Sequence, residues 1–63
     1  MSATKILDEA ERLQRLSDRL DSLAEQHPKA SDALLRIASG IRDTAVLLEV
    51  LVAAKLSSPS RLQ

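Results

Sequence analysis

The residue types that most often hold metals or attack substrates are scarce in this chain, which has one histidine and no cysteine. His27 has no second histidine or thiol with which to form a zinc site, and its position before Pro28 is typical of a connecting turn. The serines lie in no nucleophile motif, and no glycine-rich phosphate loop is present. We therefore predict no catalytic, metal-binding or cofactor-binding residue, and no enzyme activity.

Three arginines, Arg12, Arg15 and Arg19, recur at the spacing of one helix edge. Doubled by the symmetry of a dimer, such a stripe could contact the phosphates of RNA or DNA. The alternative is a solvated flank whose aliphatic stems cover the edge of the core. Nine basic and nine acidic residues give a formal net charge of zero, and no aromatic residue is present to stack on bases. Composition therefore favours the solvated flank.

The charges also predict ion pairs. Asp8–Arg12 is one of the pairs in which an acid precedes a base by four residues on the same helix. Residues 1–27 carry four basic and six acidic side chains, and residues 28–63 carry five basic and three acidic ones, so antiparallel packing brings opposite net charges together.

The composition predicts an all-α protein. Leucine and alanine, both strong helix formers, account for twelve and nine residues, whereas β-branched residues are few. Two prolines and one glycine leave little material for turns, so the elements must be few and long. The length of 63 residues allows a single small domain or part of an assembly.

The first helix is expected over about residues 4–26, with Ser2 or Thr4 as its N-cap. His27-Pro28 ends it, since proline disfavours helical geometry in the preceding residue. A turn of about residues 27–30 follows, and a link this short predicts an antiparallel hairpin. The apolar stripe is Ile6, Ala10, Leu13, Leu16, Leu20 and Leu23.

The second helix is expected over about residues 30–56, with Pro28 as its first residue or Ser31 as its cap. The small-residue patch Ala38-Ser39-Gly40 in its middle predicts a close helix–helix contact, and the alternative is a kink or a break into a third helix. Residues 57–63 have no periodic apolar face and are expected to form a disordered tail. The predicted core stripe is Ala30, Leu34, Ile37, Ile41, Ala45, Leu48 and Val52.

Residues 45–54 carry nine apolar side chains out of ten, on several sides of the second helix. One partner helix covers only one side, so the remainder must be buried elsewhere. A chain this short without disulfide or metal also commonly needs oligomerisation. We predict a homodimer that forms a four-helix bundle, and a tetramer as the next choice. The predicted oligomer interface is Leu35, Val46, Leu47, Val50, Leu51, Ala53 and Ala54.

Glu49 interrupts this apolar run. It either marks the solvent strip of the second helix, in line with Arg42, or is buried in the oligomer, where a carboxylate needs a partner or a proton. It also argues against a membrane span, because the uninterrupted apolar runs are shorter than a bilayer requires.

The sequence favours a homo-oligomeric helical interaction or assembly module. A dimeric nucleic-acid-binding bundle using the arginine stripe is one alternative. A small regulatory subunit whose apolar face binds a different protein is the other, and it would bury the same residues as self-association. The absence of a basic start followed by an apolar run gives a cytoplasmic location as the default expectation.

Overall fold

The computed structural model describes residues 2–56 and shows two helices packed against each other as a hairpin. Helix α1 spans Ala3–Gln26, a 3₁₀ turn spans Pro28–Ala30, and helix α2 spans Ser31–Leu51. A π-helical turn, Val52–Leu56, continues α2. The predicted all-α hairpin is confirmed, and the expected tail at 57–63 lies outside the described residues.

Helix α1 is closed at both ends by side chains of its flanking residues. At the start, the Ser2 hydroxyl oxygen accepts a hydrogen bond from the Lys5 backbone N–H at 3.2 Å, so Ser2 rather than Thr4 is the N-cap. At the end, Nδ1 of His27 donates to the Leu23 carbonyl at 3.0 Å. This bond satisfies one of the carbonyls that a helix C-terminus leaves without an intrahelical partner.

Pro28 is the first residue of the 3₁₀ segment. Its missing N–H costs nothing there, because an N–H at the first position of a helix has no hydrogen-bond partner within the helix. The Ala30 N–H donates to the His27 carbonyl at 2.9 Å. Ser31 already has helical backbone angles, and the N-cap of α2 is Ala30, which offers no capping side chain. The expectation that Ser31 caps α2 was therefore wrong, although Asp32 does lie in the first turn.

The buried layer between the helices consists of small residues. Those of α1 are Ala10, Ser17 and Ala24, and those of α2 and its continuation are Ala38, Ala45 and Val52. Members of each set are seven residues apart, the spacing of a seam in antiparallel coiled-coil packing. Ala10 and Ala45 are equally far from the His27–Pro28 bond, as are Ser17 and Ala38, so small residues occupy matching levels of the two helices. The position that matches Ala24 is Ser31, which is half-buried.

This layer corrects the predicted stripes. Ala10, Ala45 and Val52 were predicted in the core and are buried, and Ala38 of the small-residue patch is buried with them. Ser17 and Ala24 were not expected in the core, yet they are buried as well. Leu23, Ala30 and Ile37 were expected there, yet they are exposed. Small residues let two backbones approach closely, and the larger side chains are consequently displaced to the flanks of the contact.

Ser39-Gly40 neither breaks α2 nor forms a close contact within the hairpin. The helix is continuous through both residues, so the alternative of a break into a third helix was wrong. A Cβ atom placed on Gly40 would meet nothing within 4 Å, so the predicted contact through this glycine was wrong as well. Of the small-residue patch, only Ala38 lies in the helix–helix contact.

Candidate self-association surface

Ser17 is the polar member of the buried layer, with no exposed surface. Its hydroxyl donates to the Gln14 carbonyl of the same helix at 2.8 Å. The buried oxygen is therefore satisfied locally, and the residue costs the layer little while keeping the helices close. None of the residues described leaves a buried side-chain nitrogen or oxygen without a hydrogen-bond partner.

Large apolar side chains lie along one side of this layer, where they are only half covered. Ile6, Leu13 and Leu20 of α1 are spaced by seven, as are Leu34, Ile41 and Leu48 of α2, and all six are half-buried. At 100° per residue they fall on the same side of the layer in both helices, because the helices are antiparallel. We call this side the apolar broad face; its outer members are Leu16, Leu23, Ile37 and Leu51.

An open depression of about 600 Å³ lies at the end of the apolar broad face farthest from the turn. Ile6 on α1 and Leu48 and Leu51 on α2 line it, which places these flanks of the two helices side by side. Its rim is charged, and Glu9 and Arg12 in this rim form an ion pair at 3.2 Å. The depression is therefore lined by apolar side chains, and the opposite charges of Glu9 and Arg12 neutralise each other in its rim.

The opposite broad face carries the ion pairs between the helices. Arg42 donates to a carboxylate oxygen of Asp21 at 2.8 Å and to one of Asp18 at 3.3 Å. The hydrogen bond that Arg42 donates to Asp21 is the main cause that raises the pKa of the Arg42 guanidinium, with Asp18 adding to it. Opposite charges on α1 and α2 thus meet on this face, which is more polar than the apolar broad face.

Every residue of the predicted oligomer interface is exposed in the single hairpin, and these residues occupy the outer half of α2. By helical angle, Leu35, Val46 and Ala53 border the face that carries the ion pairs, and Leu47 points away from α1. Leu51 instead lies on the far border, where it also lines the depression of the apolar broad face. Val50 and Ala54 fall between these borders, so the set wraps around the helix instead of forming one flat patch.

The arginine stripe lies on the side of α1 that faces away from α2. Arg12, Arg15 and Arg19 are all exposed there. Arg12 is paired with Glu9 rather than with Asp8, the partner expected from a four-residue spacing. The stripe therefore remains solvent-facing, with an acidic neighbour already on its first member.

Glu49 and His27 are both exposed. The exposure of Glu49 agrees with the solvent-strip interpretation for an isolated hairpin. Within residues 2–56, no three side chains of histidine, aspartate or glutamate come together as a metal site would require.

Sequence reasoning placed Ala10, Ala45 and Val52 in the core but left Ser17 and Ala24 out, because alanine and serine carry little hydrophobic signal. The sequence did contain one clue, the seven-residue recurrence of small residues through Ala10, Ser17 and Ala24 and again through Ala38 and Ala45. Counting the largest side chains alone shifts the centre of the stripe toward one flank.

Fold and surface together define a small all-α hairpin with a half-covered apolar side. Comparison with protein-family models, with curated proteins and with solved structures found no match. In the part of the chain that the structure describes, neither helix is long and apolar enough to cross a membrane.

Proposed function

We propose that this chain is a self-associating helical hairpin that acts as an interaction or assembly module without chemistry of its own. The observation that carries the proposal is the composition of the buried layer. No leucine or isoleucine among residues 2–56 is buried, and the layer contains only alanine, one valine and one serine. The side chains that supply most of the hydrophobic stabilisation, about 1.5–3 kcal/mol each when fully buried, are still partly in water.

The dimensions support the same conclusion. The protein measures 53 × 16 × 13 Å, and the smallest of these is close to the diameter of one helix with its side chains. The hairpin is therefore a single layer, whereas stable domains generally pack two layers around a core. A second hairpin laid on the apolar broad face supplies the missing layer and makes a four-helix bundle.

A homodimer is the simplest such assembly. The zero net charge means that two copies do not repel each other through an overall like charge. The outer half of α2, with Leu47 and Val50 exposed, remains free in this dimer and offers a second contact through which dimers form a tetramer.

The test is the solution mass across a dilution series, measured by sedimentation or light scattering. We expect at least twice the mass of the chain at micromolar concentration, with helicity lost on dilution as the copies separate. A compact, fully helical monomer throughout that range would contradict the proposal. Recovery of a different protein bound stoichiometrically to such a monomer would indicate the regulatory-subunit alternative instead.

Two substitutions separate the surfaces. Ile41→Asp places a charge in the centre of the apolar broad face and should abolish the dimer, whereas Val50→Arg should at most reduce a tetramer to a dimer. Salt-sensitive binding of RNA or DNA by the wild type, lost when Arg12, Arg15 and Arg19 are all changed to Ala, would support the nucleic-acid alternative.

A further inference from the structure

The two ends of the apolar broad face have different shapes. At the open end of the hairpin, the depression lined by Ile6, Leu48 and Leu51 recedes from the surface. Nearer the turn, Leu23 and Ile37 are 41% and 54% exposed on the same face. Leu51, in the depression at the open end, is exposed to a similar extent, at 43%. The two ends therefore differ in the depression lined by leucine and isoleucine, which lies at the open end, and in Ile37, the most exposed member of the face, which lies nearer the turn.

This asymmetry indicates how a second copy fits. We propose that two copies pack face to face with opposite orientations, the turn of each lying over the open end of the other. Leu23 of one copy then enters the depression beside Ile6 of its mate, and the reciprocal contact forms by two-fold symmetry. This inference rests on the proposed self-association and adds to it the surface and the orientation.

In the alternative two-fold arrangement both turns lie at the same end, so the open end of one copy faces the open end of the other. The depression of one copy would lie over the depression of the other, and the two empty volumes would merge. Leu23 would lie near the other copy's turn, where the depression of about 470 Å³ is lined by residues 26–30 and contains no leucine or isoleucine to pack against. Buried apolar cavities forfeit contacts, so close packing favours opposite orientations.

Charges along α1 agree with opposite orientations. When Leu23 of one copy lies at the level of Ile6 of the other, Arg19 lies within about one residue of the level of Glu9. Both side chains are exposed in the single hairpin, and Glu9 belongs to the rim of the depression. Arg12 of the mate, which is paired with Glu9, lies about two residues from the same level. The dimer therefore places Arg19 beside the Glu9–Arg12 ion pair of its mate, with the carboxylate nearer in level, at two symmetric positions on its border.

The size of the face is sufficient for a stable contact. Helix α1 has 24 residues, and its length of about 36 Å combined with the 16 Å width of the hairpin gives a flat projection on the order of 600 Å². Corrugation makes the accessible area larger than this projection. It approaches the roughly 800 Å² per partner that standard interfaces bury. A second copy thus covers the face from end to end.

The absence of native cysteine makes engineered disulfides an unambiguous test. Leu23 and Ile6 are about 25 Å apart along α1, too far for a bond within one chain. In the double variant Leu23→Cys/Ile6→Cys, mild oxidation should convert most of the protein to a covalent dimer. The matched single variants, Leu23→Cys and Ile6→Cys, should remain largely uncrosslinked, and circular dichroism should confirm that all three are helical.

The outcomes distinguish orientation from self-association. Cross-linking of Leu23→Cys alone, or no cross-linking of a double variant that is dimeric by mass, overturns the orientation and leaves the assembly proposal standing. A monomeric wild type overturns both. Should the variants lose helicity, Arg19→Cys/Glu9→Cys, at the two exposed positions that the same contact brings to nearly the same level, should give the covalent dimer instead, and its failure in a dimeric, helical protein also overturns the orientation.

Discussion

Arg42 of α2 reaches across the hairpin to Asp21 of α1, with 2.8 Å between guanidinium nitrogen and carboxylate oxygen. This contact and the second one to Asp18 lie on the face opposite the large half-covered side chains. The hairpin therefore has one broad face on which ion pairs link its two helices and another on which large apolar side chains are partly exposed. Self-association through the apolar broad face leaves the ion pairs in water.

Replacing Arg42 by Gln should lower the melting temperature slightly, because the pairs are solvent-accessible and screened. The difference from wild type should shrink as salt is raised. Since the carboxylates raise the pKa of Arg42, its contribution is complete below the unfolded pKa and is lost only as pH rises through the higher folded value. Melting curves should therefore show no loss from this group between pH 7 and 10. A large effect of the substitution that persists in molar salt would contradict this prediction.

Replacing Ser2 by Ala removes the cap of α1 and should destabilise the protein by about 1 kcal/mol, because the Lys5 N–H loses its side-chain acceptor. Thr4→Ala is the matched control, since Thr4 is exposed within the first turn and does not cap the helix. Thermal or urea unfolding followed by circular dichroism measures both. Equal effects of the two substitutions would argue against the cap.

Replacing Ala38 by Leu tests the small-residue layer. Ala38 has no exposed surface, so the extra side chain must push the helices apart, at a cost of about 1–3 kcal/mol. Ser39→Leu adds the same side chain at the neighbouring exposed position and should change stability far less. Urea unfolding of both variants at one protein concentration gives the comparison, and an unchanged midpoint for Ala38→Leu would show that the layer is not tightly packed.

Features that depend on neighbouring residues in the chain could be predicted from the sequence, and features that depend on how two helices pack could not. Pro28 fixes the end of α1 because its constraint on His27 acts within the chain, and α1 does end at Gln26. The centre of the interface was misplaced because it depends on how closely two helices approach, which is a property of the pair. Ser17 illustrates the difficulty: its hydroxyl suggests a surface position until the hydrogen bond to the Gln14 carbonyl is known.

The ion pairs of Arg42 with Asp18 and Asp21 also could not be predicted from the spacing of charges within one helix. Charges four residues apart within one helix predicted Asp8–Arg12, yet Arg12 pairs with Glu9 and the contacts between helices link positions more than twenty residues apart. Opposite net charges in the two halves did indicate attraction between the helices. Which side chains meet depends on the rotation of each helix, and the small-residue layer sets that rotation.

Replacing Gly40 by Ala separates intrinsic helix propensity from packing. Glycine inside a helix costs about 1 kcal/mol relative to alanine, and the added methyl group meets no atom within 4 Å. We therefore expect the substitution to raise stability by about that amount, an increase of several degrees in melting temperature for a chain of this size. Ser39→Ala, at the adjacent exposed site, should give a smaller gain because serine is already the better helix former. Gly40 lies seven residues before Leu47 and, like Leu47, points away from α1 and from the proposed dimer contact, so the gain should persist at concentrations where the copies form the dimer. A loss of dimer in Gly40→Ala, with helicity intact, would show instead that a second helix approaches this glycine and that the contact extends further around α2.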